Sequence, residues 1–143
     1  MTIPIWNLET LFPGGSSSRD FAAFAEQAEA GCAALLQELR DGGESVPDEG
    51  QLAEWTGKLQ ETLARLREAD SFVSCLTAQS LSDRRAVGWT ERIQTLAARY
   101  KQASDLFDAK LAQVPDASWR QWTAVRPELA AVRFPLDEKR DFA

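Results

Sequence analysis

A chain of 143 residues, 44% of them hydrophobic, has the size and composition of one globular domain, which excludes wholesale disorder. Sixteen Lys and Arg residues against 22 Asp and Glu residues give a net charge of −6, which repels a phosphate backbone, and no basic stripe offsets it. The sequence contains no run of 18 or more apolar residues, so no membrane span is predicted, and the N-terminus lacks the pattern of a signal peptide. We therefore expect a cytoplasmic protein with neither nucleic-acid nor membrane partners.

The chain opens with an irregular segment and one amphipathic helix. Residues 1–15 predict a strap that ends at Pro13-Gly14-Gly15, and the serines of 16–18 can cap the helix that follows. From Arg19 to about Arg40, apolar residues recur at spacings of three and four, which predicts one buried stripe. Its members are Phe21, Phe24, Ala28, Cys32, Leu35 and Leu39.

Two further long helices and a short one are predicted. Asp48 can cap the second helix in a capping box with Gln51, and this helix runs to about residue 80. Its stripe is Leu52, Trp55, Leu59, Leu63, Leu66, Val73 and Leu76. Asp83 caps a third helix reaching about Val114, with the stripe Ala86, Trp89, Ile93, Leu96, Tyr100, Phe107, Leu111 and Val114. Pro115 ends it, and a shorter helix starting at residue 116 or 118 carries Trp119 and Trp122.

Short connections between these helices predict an all-α fold, an up-and-down antiparallel bundle of three long helices plus a short C-terminal helix. The stripes also resemble heptads, but three stripes joined by tight turns favour an intramolecular bundle over an oligomeric coiled coil. The expected organisation is a single helical domain over 1–143. It consists of the strap 1–15, the bundle 16–133 and a linker 134–143.

The sequence contains no self-sufficient catalytic site. The absence of histidine removes the usual general base, the usual zinc ligand and every imidazole triad. In a helical hairpin, Cys32 and Cys75 are separated by roughly 27 Å at 1.5 Å per residue, beyond the reach of a disulfide. Both are therefore expected to be reduced core thiols. Asp70 falls where the second stripe expects an apolar residue. A kink or an exposed gap is favoured there over a buried or interfacial acid.

Three arginines form the most regular polar row. Arg85, Arg92 and Arg99 are seven residues apart and share a helix face that borders the third stripe. Some helical enzymes bind dianionic substrates with such arginines, but packing on the flank of the core is the favoured interpretation. Glu26, Glu29 and Glu38 are assigned to the solvated side of the first helix.

Three stretches carry a resemblance to a known family. They are the opening run from Trp6 to Gly14, the run from Phe72 to Gln79 with Asp83 and Ala86 after it, and the tail from Phe134 to Arg140. In this order and spacing they resemble the N-terminal region of the oligoendopeptidase F family, the thimet-type zinc metallopeptidases. The resemblance covers nearly the whole chain but only the front part of such an enzyme.

The resemblance implies an accessory role. Family members cleave short peptides with an H-E-x-x-H helix that holds zinc, and a helical N-terminal part covers one side of the substrate channel. This chain has no H-E-x-x-H, so no catalytic or metal residue is carried over and the chain alone should be inactive. Zinc is expected only in a full-length enzyme, and the expected partners are its catalytic domain and its peptide substrate. The alternative is a stand-alone helical protein-interaction module.

A domain that docks on a catalytic domain should present apolar residues outside its long stripes. We therefore expect the isolated domain either to self-associate through these residues or to fold the tail back over them. The candidate docking residues are Trp6, Phe12, Trp119, Trp122, Phe134, Leu136 and Phe142.

Overall fold

The computed structural model describes residues 12, 14–41, 45–131 and 135–136, in which every regular element is helical and no strand occurs. A 3-10 turn at Gly15–Ser17 precedes three long helices, α1 (Arg19–Asp41), α2 (Glu49–Gln79) and α3 (Arg84–Ala112). Two shorter helices follow, α4 (Asp116–Val125) and α5 (Pro127–Ala130). Each long helix packs against the other two. The predicted all-helical class is thus confirmed for these residues, as is a helical bundle. Most of the predicted strap and linker lies outside them.

Side-chain caps fix where the long helices begin. Ser18 Oγ accepts the backbone N–H three residues further on, at 3.1 Å. Asp48 and Gln51 form the predicted capping box, with N···O distances of 2.8 and 3.1 Å. The Asp83 carboxylate accepts the backbone N–H groups two and three residues further on, at 3.0 and 3.1 Å. These N–H groups have no acceptor inside the helix, so each cap stabilises the start that the sequence predicted.

The third helix ends at Ala112, slightly before the predicted end at Val114. The backbone N–H groups of Gln113 and Val114 each donate to the carbonyl three residues earlier, at 3.1 and 3.2 Å. Pro115 disfavours helical backbone in the residue before it, so the chain leaves the helix through this tighter turn.

The second helix is continuous through residue 70, where the sequence predicted a kink or an exposed gap. Asp70 is exposed, while Ala69 is fully buried and continues the apolar stripe toward the buried Phe72. The small side chain of Ala69 thus continues the buried stripe at this position, and the acidic side chain of Asp70 lies outside the core.

The buried residues form two clusters, one toward each end of the bundle. The Phe21 core combines the start of α1, the end of α2 and the start of α3 with Phe12. The Phe107 core combines the end of α1, the start of α2 and the end of α3 with residues that follow α3. Tyr100 is half-buried and packs against both clusters. Cys32 and Cys75 are free thiols. Cys32 is buried in the core as predicted, whereas Cys75 is half-buried and packs against the Phe21 core.

Ion pairs link the helices on the outside of this core. Lys58 of α2 contacts both Glu38 of α1 and Glu54 of its own helix, at 2.8 and 3.0 Å. Glu61 and Arg65 have the i,i+4 spacing that favours an ion pair on a helix, and they form one at 2.6 Å. Glu38 therefore crosslinks two helices, whereas the sequence had assigned it only to a solvated face.

Among the described helices, none combines the length and the hydropathy that a bilayer crossing requires.

Candidate functional site

The candidate docking residues that the structure describes belong to the chain's own core. Phe12, Trp119 and Leu136 are buried, at 8%, 4% and 6% exposure, and Trp122 is half-buried against the Phe107 core. Phe12 lies in the Phe21 core, at the other end of the bundle from Trp119 and Leu136. These residues therefore do not form one surface. Trp6, Phe134 and Phe142 lie outside the described residues.

Leu136 packs at a groove between α2 and α3. The groove has a volume of about 240 Å³ and a mostly apolar lining. Its walls are Thr56, Leu59, Gln60, Leu63, Tyr100, Ser104 and Phe107, with Pro135 and Leu136 at its rim. Burial raises the pKa of the Tyr100 phenol, so the hydroxyl at this groove stays neutral. The groove thus holds a segment of the tail against the bundle.

A second depression, which we call the Arg85 cleft, lies at the opposite end of the bundle. It is an open cleft of about 490 Å³ between the start of α1 and the first turns of α3. Its lining residues are Ser16, Ser17, Ser18, Arg19, Ala22, Arg85, Gly88, Trp89 and Arg92. Two members of the arginine row, Arg85 and Arg92, therefore lie on one cleft, with Arg19 contributed by α1.

Trp89 forms the fixed wall of the Arg85 cleft. Its indole Nε1 donates to the backbone oxygen of Ser16 at 3.0 Å, and its ring packs edge-on against Phe21 at 4.8 Å. The Arg92 guanidinium lies over the same ring, 4.6 Å from its centroid, and binds both carboxylate oxygens of Glu29. These contacts hold Trp89 from both sides, so the wall is set before any ligand arrives.

The charges around the Arg85 cleft are unequally compensated. Glu29 pairs with Arg92, and this hydrogen bond is the main cause of the raised pKa of Arg92. Asp83 has a lowered pKa, mainly because its carboxylate accepts a hydrogen bond from Ser16 and then from backbone N–H groups. Arg85 donates to the neutral hydroxyl of Ser17, and its charge also contributes to the lowered pKa of Asp83 without a salt bridge between the two side chains.

Neither Arg85 nor Arg19 is paired with a carboxylate within the part of the chain that the structure describes. The cleft therefore offers two guanidinium groups to an anion. A guanidinium can bind a carboxylate or a phosphate through two parallel N–H donors.

Arg99 is separate from the cleft. It is exposed. Burial of Cys32 raises the pKa of the Cys32 thiol, and the positive charge of Arg99 partly offsets that rise. The sequence grouped the three arginines correctly by helix face, and Arg92 takes the flank-packing role that was favoured. Arg19 and Gly88 were missed as cleft residues. The signal for Gly88 was its position between Arg85 and Arg92, at the second place of an i, i+3, i+7 series on one helix face.

The described residues contain no group of three or more His, Cys, Asp or Glu side chains that could hold a metal ion. With no histidine in the sequence, the residues present do not fit a zinc site built on an H-E-x-x-H segment. Comparisons with protein-family models, with curated protein sequences and with solved structures give no significant match.

Proposed function

We propose that this chain is the N-terminal accessory domain of an oligopeptide-cleaving zinc endopeptidase, forming part of the substrate-channel wall and docking on the catalytic domain. The observation that carries the proposal is that residues from all three stretches of the resemblance pack in the core of the domain. Phe12 of the first stretch packs on Phe72 of the second, with ring centroids 4.8 Å apart. Leu136 of the third is buried in the Phe107 core. All three stretches thus supply large apolar side chains to one helical unit.

We further infer that α1, α2 and α3 run up and down in antiparallel order, with α4 as the short fourth helix. Phe21, near the start of α1, contacts Phe72, near the end of α2, at 4.6 Å between ring centroids. Glu38, near the end of α1, contacts Lys58, in the first half of α2. Such a bundle is a rigid layer of helices, which suits the wall of a channel that admits short peptides and excludes folded proteins.

In this proposal the hydrolytic chemistry lies outside these 143 residues. A zinc peptidase needs metal ligands and a glutamate that activates the metal-bound water, and this chain supplies no H-E-x-x-H segment for them. The domain's contribution is to shape and line the path of the substrate, so its loss should change substrate selection more than the bond-breaking step.

The reading frame downstream of the codon for Ala143 tests the proposal. A frame that continues into an H-E-x-x-H segment supports it. A frame that stops, or continues without that segment, contradicts it. If the segment is present, the full enzyme should hydrolyse a nine-residue internally quenched peptide and spare a folded protein substrate.

A second candidate, a stand-alone helical protein-interaction module, is favoured by the groove between α2 and α3. A partner helix or peptide could replace Leu136 in this groove, because the groove is apolar and lies between two long helices. In that case Leu136→Ala should strengthen capture of a partner by removing the internal competitor. An accessory domain should instead only lose stability from the same change.

A further inference from the structure

The Arg85 cleft has features that the accessory role alone does not explain. A channel wall needs only a stable surface, yet this cleft gathers three arginines beside a fixed aromatic ring. Arg85 and Arg19 approach it from different helices, and neither is paired with a carboxylate in the described part of the chain. The lining of the cleft contains three arginines and no acidic residue, although the whole chain has a net charge of −6, and arginines on a cleft wall can attract an anion.

One lining residue of the cleft is a glycine with open space beside it. A Cβ placed on Gly88 would meet no atom within 4 Å. Gly88 is followed by Trp89, whose ring is held by the Ser16 backbone and by Phe21. The cleft therefore has an apolar surface beside its guanidinium groups. At about 490 Å³ it is larger than a lone phosphate ion needs and suits a ligand with an anionic end and an apolar body.

We propose that the Arg85 cleft binds the C-terminal carboxylate of a short peptide. Arg85 and Arg19 bind the carboxylate oxygens, while the last side chain of the peptide lies over Gly88 against Trp89. Arg92 stays paired with Glu29 and keeps the Trp89 ring in place. The choice of a peptide rests on the proposed function, whereas the anion site rests only on the geometry of the cleft.

Calorimetric titration of the intact chain with N-acetyl-Ala-Phe tests the proposal. The probe with a free carboxylate should bind with a Kd about tenfold lower than that of the same peptide as its C-terminal amide, because a charge-assisted hydrogen bond is lost in the amide. Arg85→Gln should remove this difference. Arg84→Gln is the matched control, because Arg84 is the exposed neighbour on the same helix turn and does not line the cleft.

A second pair of variants separates loss of binding from loss of folding. Gly88→Leu should fill the open space beside Gly88 and abolish binding of both the acid and the amide. Gly57→Leu is its control, since Gly57 is also an exposed helical glycine with open space at its Cβ position, outside the cleft. Both substitutions raise helix propensity, so thermal unfolding should show no loss of stability in either.

Three titration results would each overturn the inference, and a competition experiment can supply a fourth. The three are no heat from the acid, equal binding of acid and amide, and an Arg85→Gln variant that binds as tightly as Arg84→Gln. A competition arm uses inorganic phosphate. If phosphate displaces the peptide at or below the peptide's own Kd, the cleft is a site for free oxyanions and the peptide assignment fails. These titrations require no catalytic domain. A reading frame without H-E-x-x-H would therefore remove the proposed function and leave their outcome unchanged.

Discussion

Leu96→Ala measures how much the packing of three helices contributes to the Phe21 core. Leu96 is 2% exposed and belongs to the cluster that α1, α2 and α3 share. The change removes three carbon atoms, worth about 0.8 kcal/mol each in transfer free energy, and adds a cavity term of about 24 cal/mol per Å³. We expect the free energy of unfolding to fall by about 3–4 kcal/mol. With 143 residues and an unfolding entropy of about 2.1 cal/mol/K per residue, Tm should fall by about 10 °C.

Urea unfolding followed by far-UV circular dichroism gives this free energy, provided that the m-value of the variant matches that of the wild type. Leu81→Ala is the matched control, because Leu81 is 91% exposed and loses the same three carbon atoms. Its effect should stay within about 0.5 kcal/mol. If Leu96→Ala costs no more than Leu81→Ala, the proposed packing of α3 against α1 and α2 is refuted.

Three further predictions concern a cap, a carboxylate and the thiols. Asp48→Ala should cost about 1 kcal/mol by urea unfolding, because it removes the capping box, and a loss larger than that of Leu96→Ala would contradict the helix assignment. The pKa of Asp83 is lowered in the folded chain from its ordinary 3.8, so its charge stabilises the fold above that value. This contribution is lost as pH falls from about 3.8 through the lower pKa of the folded chain, so over that range acidification should destabilise Asp83→Asn less than it destabilises the wild type. Cys32 is buried with a raised pKa while Cys75 is half-buried, so thiol labelling of the native chain should show one fast and one slow site, and Cys75→Ser should remove the fast one. Equal labelling rates for the two thiols would contradict their assigned burial.

The positions of the three long helices could be predicted from the sequence because the signals that determine them are local. Periodicity at three and four residues defined the stripes, and Asp48 and Asp83 cap the helices at the predicted starts. The end of α3 was placed two residues too far, because a proline at 115 acts on the turn before it as well as at its own position. Asp70 is exposed, which agrees with the favoured interpretation of an exposed gap over a buried acid. The stripe was sought in large side chains, and the small Ala69 continues it.

The cleft could not be predicted in full, because it depends on contacts between distant segments. The bond between Trp89 and Ser16 joins residues that are 73 positions apart, and the salt bridge between Arg92 and Glu29 spans 63. Nothing in the spacing of the arginines on α3 indicates that Arg19 lies on the same cleft. The candidate docking residues were misjudged in another way, because their burial also depends on contacts that the sequence does not reveal. Apolar residues outside a periodic stripe, such as Trp119, can still be buried once α4 folds against the bundle.

The arrangement of the interior in two clusters has a consequence for how the domain can change. Among the described residues, Tyr100 is half-buried and packs against both clusters, and each of the three long helices contributes buried residues to both, so the helices themselves connect the two ends. Leu59 and Leu96 belong to separate clusters, and the effects of substitutions at the two positions on stability should add. Each end can therefore be redesigned while the other keeps its packing. The end with the Arg85 cleft could change its ligand preference without disturbing the end that holds the tail.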